Sequence, residues 1–433
     1  MSSHHHFSAL QPLDLSRWRN APNWAIAVGL VPAVVGALID VRQFGYSWLL
    51  AFMFFLSLSL GALFLVLVHH LFDAGWSVPL RRCCEHLACL SSPWMAIMFV
   101  PVALLAPRLY PWMGAELQAA PDHALHAKLP LFTRPAFYGI AVACFGFWYL
   151  ISSNLRKWSL RQDETGSARC TYAMRRWSAA GMWVFAITLT LGVIFWMKAL
   201  VPQWFSTMYG VYYFAGSVWL TLATVYVLIK VLERTGPLRG ILHEHQYYFL
   251  GSLFFAFTVF YAYIHFSQYF IIWNANVPEE TFYYKLREQG SWYGVSMVII
   301  FGHFFLPFLA LLRIDAKHYF PLMAFFAGWA WLMHYLDLSF NIMPVPHPDG
   351  FPFRWVWLDL GCLALIGGVL AKVFLKSFRA HPPYPLKDPR LLEALGHYHP
   401  KPRLMSGGEL EETEEIEEQI RGLPGSETPG GAK

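Results

Sequence analysis

His265, His303, His334, Asp337 and Asp359 all lie inside otherwise apolar stretches of this chain. A charged group at the centre of a bilayer costs about 2.5–3.5 kcal/mol on insertion scales, so a titratable residue kept there points to a function. Histidine titrates near neutral pH and can take up and release protons. His334 and Asp337 are three residues apart, which places them on one helix face. Three readings fit this set. His265, His303, His334, Asp337 and nearby tyrosines form a proton wire; or two histidines, with His265 and His334 the nearest pair, ligate a b-type haem; or each histidine is a satisfied interhelical hydrogen-bonder. As a group on consecutive spans, the residues favour proton handling. Asp359, and Glu85 with His86, extend the list of proton-path candidates. Quinone chemistry needs an apolar cleft and a polar group at each carbonyl, parts that aromatic-rich spans also supply by chance.

The elements that must position these residues are membrane helices. The chain has 433 residues, 56% hydrophobic and 14% charged, against about 25% charged in soluble domains. About ten runs are apolar enough to span a bilayer: 24–38, 46–71, 87–106, 137–151, 177–200, 208–232, 247–273, 292–312, 320–340 and 355–375. At a helical rise of about 1.5 Å per residue, His265 falls toward one end of the seventh run and His303 near the middle of the eighth. His334 and Asp337 fall in the same half of the ninth as His265 does in the seventh, and Asp359 about one turn inside the tenth. In the first half of the chain, His69, His70, Asp73, Glu85 and His86 cluster at the opposite membrane face.

Lysine and arginine are concentrated in alternate loops, which by the positive-inside tendency places both termini in the cytoplasm. The net charge of +5 reflects this loop bias and not nucleic-acid affinity. The polar N-terminus shows no cleavable signal. Of six cysteines, Cys83, Cys84 and Cys89 with His86 superficially resemble a metal cluster, but adjacent cysteines point to different helix faces; no CxxC or CxxCH motif supports a cluster or covalent haem. Pro278, Glu279 and Glu280 fit the first turn of a short helix; with Asn276 they mark an interface on the outer, periplasmic face. Residues 377–433 are expected either to begin with a docking segment, including a short helix at 389–395, and end in a disordered acidic run, GELEETEEIEEQI, or to be solvated throughout.

The stretch FYAYIHFSQYFIIWNANVPEET (260–281) resembles the ActF-type membrane subunits of bacterial alternative complex III, within the polysulfide-reductase or NrfD-like superfamily. Further matching stretches are LGALFLVLVHHLFDAGWSVPLRR (60–82), LPLFTRPAFYG (129–139), GSWYGVSMVIIFGHFFLPFLALL (290–312) and PLKDPRLLEAL (385–395). The resemblance implies an all-α integral membrane fold of ten helices. A cytoplasmic tail (1–22) precedes a transmembrane domain (23–376), in which four-helix bundles at about 46–200 and 208–341 are flanked by the first and last helices. It implies a bacterial inner-membrane complex that oxidises quinol and passes electrons to cytochrome c or a similar periplasmic carrier. The partners it implies are a sister NrfD-like membrane subunit, an iron–sulfur subunit, multihaem and monohaem cytochrome c subunits and small helical membrane subunits, besides membrane lipids. Haem c and iron–sulfur clusters belong to those partners, with none in this chain; quinol is a candidate ligand, better placed in the sister subunit. The sequence departs from the family pattern at His265, where the family carries a small residue, and at Asn274, where it carries an aromatic one. That shifts weight to His303, His334 and Asp337. The alternative is a stand-alone proton-coupled transporter, which calls for paired helix interruptions in the two halves; the sequence shows no such pair.

Overall fold

The structure, a computed structural model, describes residues 19–114 and 123–395. Among them every regular element is helical, and the molecule is an all-α integral membrane protein. The principal helices are α1 (Ala21–Ile39), α2 (Val41–Leu71), α3 (Val78–Ala88), α4 (Trp94–Leu109), α5 (Arg134–Thr165), α6 (Ala168–Trp196) and α7 (Tyr209–Arg234). They continue with α8 (Glu244–Ala275), α9 (Pro278–Arg287), α10 (Ser291–Leu311), α11 (Phe320–Ile342), α12 (Val356–Arg379) and α13 (Leu391–Ala394). Nine of the ten apolar runs coincide with a helix, and among the described residues eight helices are both long and apolar enough to cross a membrane. Helix α11 is long enough, but His334, Asp337 and Asn341 lower its hydropathy. Helix α4 has 16 residues, about 24 Å, short of the roughly 30 Å hydrocarbon layer.

The third run corrects the sequence reading. A span over 87–106 is expected, but α3 ends at Ala88 and α4 starts only at Trp94. Pro93 explains the break: it has no N–H to donate and disfavours helical geometry in the residue before it. Glu85 and His86 therefore sit on a separate helix and not at the end of a span. The fourth run is longer than its apolar stretch, because α5 continues through polar residues to Thr165 and closes on Gly166 at φ 67°. The short helix expected at 389–395 is Leu391–Ala394. The N-terminal tail up to residue 18 and the acidic run 408–420 lie outside the described residues.

Helix α2 is apolar on every side, a pattern that requires burial all round, and it is buried along nearly its whole length. Asp40 starts it by accepting from the backbone N–H groups of Arg42 and Gln43 at 2.9 and 3.0 Å. Helices α3, α4, α6, α7, α11, α12 and α1 all pack on it. Helix α5 pairs with α6, α8 and α11 pack on α7, and α10 lies against α8 and α11. Helices α1 and α12 run along each other, with Gly29 against the backbone of Gly361 and Leu365. Small residues let membrane helices approach this closely. The outward side of α1 carries exposed Trp24, Val28, Val31 and Leu38, a surface suited to lipid.

The two halves meet where α2 crosses α7. A Cβ on Gly61 would stand 2.2 Å from Thr221 Oγ1 and 2.5 Å from the Ser217 carbonyl oxygen. Gly61→Val should therefore destabilise the protein by on the order of 3 kcal/mol through overpacking, seen as a lower melting temperature in detergent. Thr221→Ala should restore part of that loss only, because the Ser217 carbonyl belongs to the backbone and cannot withdraw.

Candidate functional site

Asp337 is the centre of a buried polar group between α7, α8, α9 and α11. Its Oδ1 accepts hydrogen bonds from the hydroxyls of Tyr212 on α7 and Tyr261 on α8, the latter at 2.7 Å. One turn further along α11, Asn341 donates through Nδ2 to the Tyr212 hydroxyl at 3.0 Å and to the Asp337 carbonyl at 2.7 Å. Its Oδ1 accepts from Tyr209 at 3.0 Å and from Tyr283, on α9, at 2.9 Å. Arg287 closes the group. Its guanidinium donates to the carbonyls of Phe340, Asn341 and Tyr283 at 2.8–3.1 Å and lies 3.5 Å above the Tyr283 ring. The last carbonyls of α11 thus gain the partners that a buried helix end requires, and Tyr283 stacks on Trp204 at 3.7 Å.

The histidines surround this group. His303 is fully buried between two aromatic faces, with Tyr261 at 3.6 Å and Trp219 at 3.8 Å between centroids. Neither of its ring nitrogens has a hydrogen-bond partner among the described residues. It sits in a π-helical segment of α10, Ile300–Phe305, the kind of local widening often found at functional sites. Trp329 on α11 donates to the Gly302 carbonyl at 2.7 Å, giving a displaced backbone acceptor a partner. His334 pairs through Nε2 with Ser57 Oγ on α2 at 2.8 Å, and its Nδ1 has no partner among the described residues. Its ring rests against Gly216 of α7, where a Cβ would come within 3.3 Å. His265 is half-buried at the edge of the group, its ring centroid 5.5 and 5.8 Å from those of Tyr212 and Tyr261.

His265, His303 and Asp337 therefore converge on the Tyr212–Tyr261 pair, with His334 one turn away on the same helix as Asp337. Asp359 does not join them. It accepts from Tyr335 at 2.9 Å on the side of α11 that faces α12. Asn276, Pro278 and Glu279 are exposed at the corner between α8 and α9, with Glu280 partly covered. Asn276 turns the chain there in a left-handed conformation, at φ 47°. Sequence reasoning missed Tyr209, Tyr212, Asn341 and Arg287 as named members of the group. Two spacings carry the signal: Tyr209 and Tyr212 are three apart, and Asp337 and Asn341 four apart, so each pair shares a helix face.

Glu85 and His86 belong to a second polar cluster, at the opposite membrane face. Glu85 bridges Arg81, Arg82 and Arg156 at 3.0–3.2 Å. Burial alone would raise its pKa, but the three guanidiniums outweigh burial and hold it down at about 2. His86 is pushed down to about 2, mainly by burial and then by Arg156. One stays ionised and the other neutral near pH 7, so this pair holds structure together and does not exchange protons there. The chain after α12 is bound into the same cluster. Asp388 pairs with Arg81 and with Arg390, and Arg390 also reaches Asp73 at 2.8 Å. Leu386 donates its N–H to Asp163 at 3.0 Å, and Gln246 donates to the Ala394 carbonyl at 2.9 Å. Leu391 and Ala394 pack against Val78 of α3. The expected docking segment is thus seated on α3 by charge and by packing.

All six cysteines are free thiols, and no group of three or more His, Cys, Asp or Glu side chains among the described residues is arranged to hold a metal ion. No protein-family model matches the chain, and no curated protein matches it.

Burial works to raise the Asp388 pKa, but Arg81 and Arg390 hold it well below the ordinary carboxylate range. A depressed carboxylate stabilises the folded state above its unfolded pKa and loses that contribution as pH falls through the folded value. The docked segment should therefore remain in place from neutral pH down through the ordinary carboxylate range and release only in stronger acid. Asp388→Asn leaves Arg81 and Arg390 without their shared anion, a loss of about 3–5 kcal/mol for a broken buried pair. Trypsin at neutral pH should then cleave after Arg390 in the variant and spare that bond in the wild type.

Proposed function

We propose that this chain is an integral membrane subunit of a quinol-oxidising electron-transfer complex that delivers electrons to cytochrome c or a similar periplasmic carrier. The resemblance of its sequence stretches to alternative complex III supports this reading. Its role is to scaffold the complex and to handle protons within the second bundle, helices α7 to α11. The observation that carries the proton role is Asp337: a fully enclosed carboxylate that receives two tyrosine hydroxyls, where an unpaired charge would be costly. Such a group is suited to hold a proton and give it up. Asn341 cannot relay a proton as a hydroxyl or imidazole can. Exchange with the outside therefore runs through Tyr212 and Tyr261 toward half-buried His265, while Asn341, Tyr283 and Arg287 keep the geometry fixed.

The Asp337 group is filled by its own side chains, which satisfy one another, so it suits protons and not a quinol ring. Quinol oxidation is assigned to a sister NrfD-like subunit beside an iron–sulfur subunit, with haem c in cytochrome partners. The bias of Lys and Arg toward one membrane face supports a bacterial inner-membrane orientation with both termini cytoplasmic. The α8–α9 corner at Asn276, Pro278, Glu279 and Glu280 then faces the periplasm and offers acidic side chains to redox partners.

The test is made on complex purified from membranes through a tag on this chain. Partners carrying c-type haem and iron should co-purify, and their absence would overturn the reading. In assembled complex, Asp337→Asn should slow proton exchange by on the order of a hundredfold. Together with His334→Phe, it should lower the ratio of protons released to electrons passed. An unchanged ratio in a fully assembled variant would remove the proton role.

A further inference from the structure

The first and last membrane helices hold a cavity that plays no part in the Asp337 group. It lies where α1 begins and α12 ends, on the membrane face that also carries the Arg81–Glu85 cluster, and measures about 560 Å³. Arg19, Lys372, Lys376 and Arg379 line it together with Asn20 and Leu375, and no carboxylate among the described residues does. None of these four cations forms an ion pair with another described residue, whereas Arg81, Arg82, Arg156, Arg175 and Arg390 at the same face all do. Four uncompensated positive charges around one hollow repel one another unless an anion sits among them. Helix α1 adds to the demand. It runs 19 residues, and Asn20 does not cap it with its side chain; Pro22 has no N–H, so the open donors of its first turn are those of Ala21 and Asn23, of the kind that bind phosphate.

The surroundings define the anion. Trp24, which follows the lining residue Asn23 in sequence, is 68% exposed, as an interfacial anchor is. Beyond it α1 displays Val28, Val31 and Val35 to the outside, an apolar strip along which acyl chains can lie. We infer that this cavity is a binding site for the phosphodiester headgroup of an anionic phospholipid, with Lys372, Lys376, Arg379 and Arg19 on the phosphate and the acyl chains along α1. A basic pocket between membrane helices is the expected form of such a site. The site is independent of the electron-transfer reading. It gives the α1–α12 pair a role in fixing the molecule in the bilayer.

Native mass spectrometry of the full-length protein in detergent tests this, with phosphatidylglycerol and phosphatidylcholine as probes. The wild type should retain a phosphatidylglycerol adduct that phosphatidylcholine does not match. Lys372→Gln with Lys376→Gln should weaken the adduct at least about tenfold, given roughly fivefold per cation near a lipid surface. The arginine double variant at the same positions should keep it, and Arg313→Gln, at an 82% exposed side chain elsewhere, should leave it unchanged. Equal retention of the two lipids, or an unaffected adduct in the double glutamine variant, would overturn the site. Displacement of the adduct by millimolar inorganic phosphate would make it a free-phosphate site and overturn the lipid assignment. The chain's own acidic stretch is the rival occupant: if Glu409→Gln, Glu411→Gln and Glu412→Gln together raise lipid retention severalfold, that stretch fills the cavity and the proposal fails.

Discussion

The close crossing of α2 and α7 is the constraint on which the rest depends. With only hydrogen on Gly61, the Ser217 carbonyl and Thr221 hydroxyl of α7 can lie against α2. That contact fixes the distance between the two halves of the molecule. It also brings Ser57 of α2 within hydrogen-bond reach of His334 on α11. Tyr213 of α7 donates to the Met53 carbonyl of α2 at 2.6 Å in the same seam. A wider crossing would leave His334 and Tyr213 as buried polar groups without these partners, each at a cost of about 1–3 kcal/mol, while Ser57 would keep only the Phe54 carbonyl of its own helix, at 2.7 Å. Packing at one small residue and hydrogen bonding at three polar ones are parts of a single arrangement.

The chain handles buried charge in two ways. At the basic face, Glu85, Asp388 and Asp73 are matched by arginines on four different segments, so each acid ties chain together. Among α7, α8, α9 and α11, Asp337 has neutral tyrosine donors and no cation in contact among the described residues. Arginine sites of the first kind resist titration because the opposite charge is always present. A carboxylate held by neutral hydroxyls has no such fixed opposite charge beside it. Arg287, the nearest fixed charge in the outer part of the bundle, spends its donors on backbone carbonyls and its face on Tyr283.

Much of this was legible in the sequence. The apolar runs locate the helices because a bilayer demands long uninterrupted hydrophobic stretches, and His334 and Asp337 stand out because polar groups are rare within them. Pro278 with Glu279 and Glu280 marks the start of α9 through local physics alone. What stayed hidden depends on contacts between distant segments. Tyr212 and Tyr261 are ordinary aromatic residues in an aromatic-rich chain until α7 and α8 are placed beside α11. The break before α4 turned on one proline in a run whose hydropathy hid it. The pairing of Asp388 with Arg81 joins residues 307 positions apart, a separation that no periodicity can bridge.

The π-helical segment of α10 has one more consequence. A turn of this kind holds one residue more than an α turn, so the helix before it is rotated by about 100° relative to uninterrupted α geometry. Gly302 accommodates that offset against Met333, whose Sδ would be 2.6 Å from a Cβ there. What 300–305 preserves is thus a count of residues as much as their identity. Shortening the stretch by one would leave an apolar helix of nearly the same length and composition, yet its two ends could no longer both meet their present neighbours. In such a helix a single missing residue acts at a distance, as a change of phase between one membrane leaflet and the other.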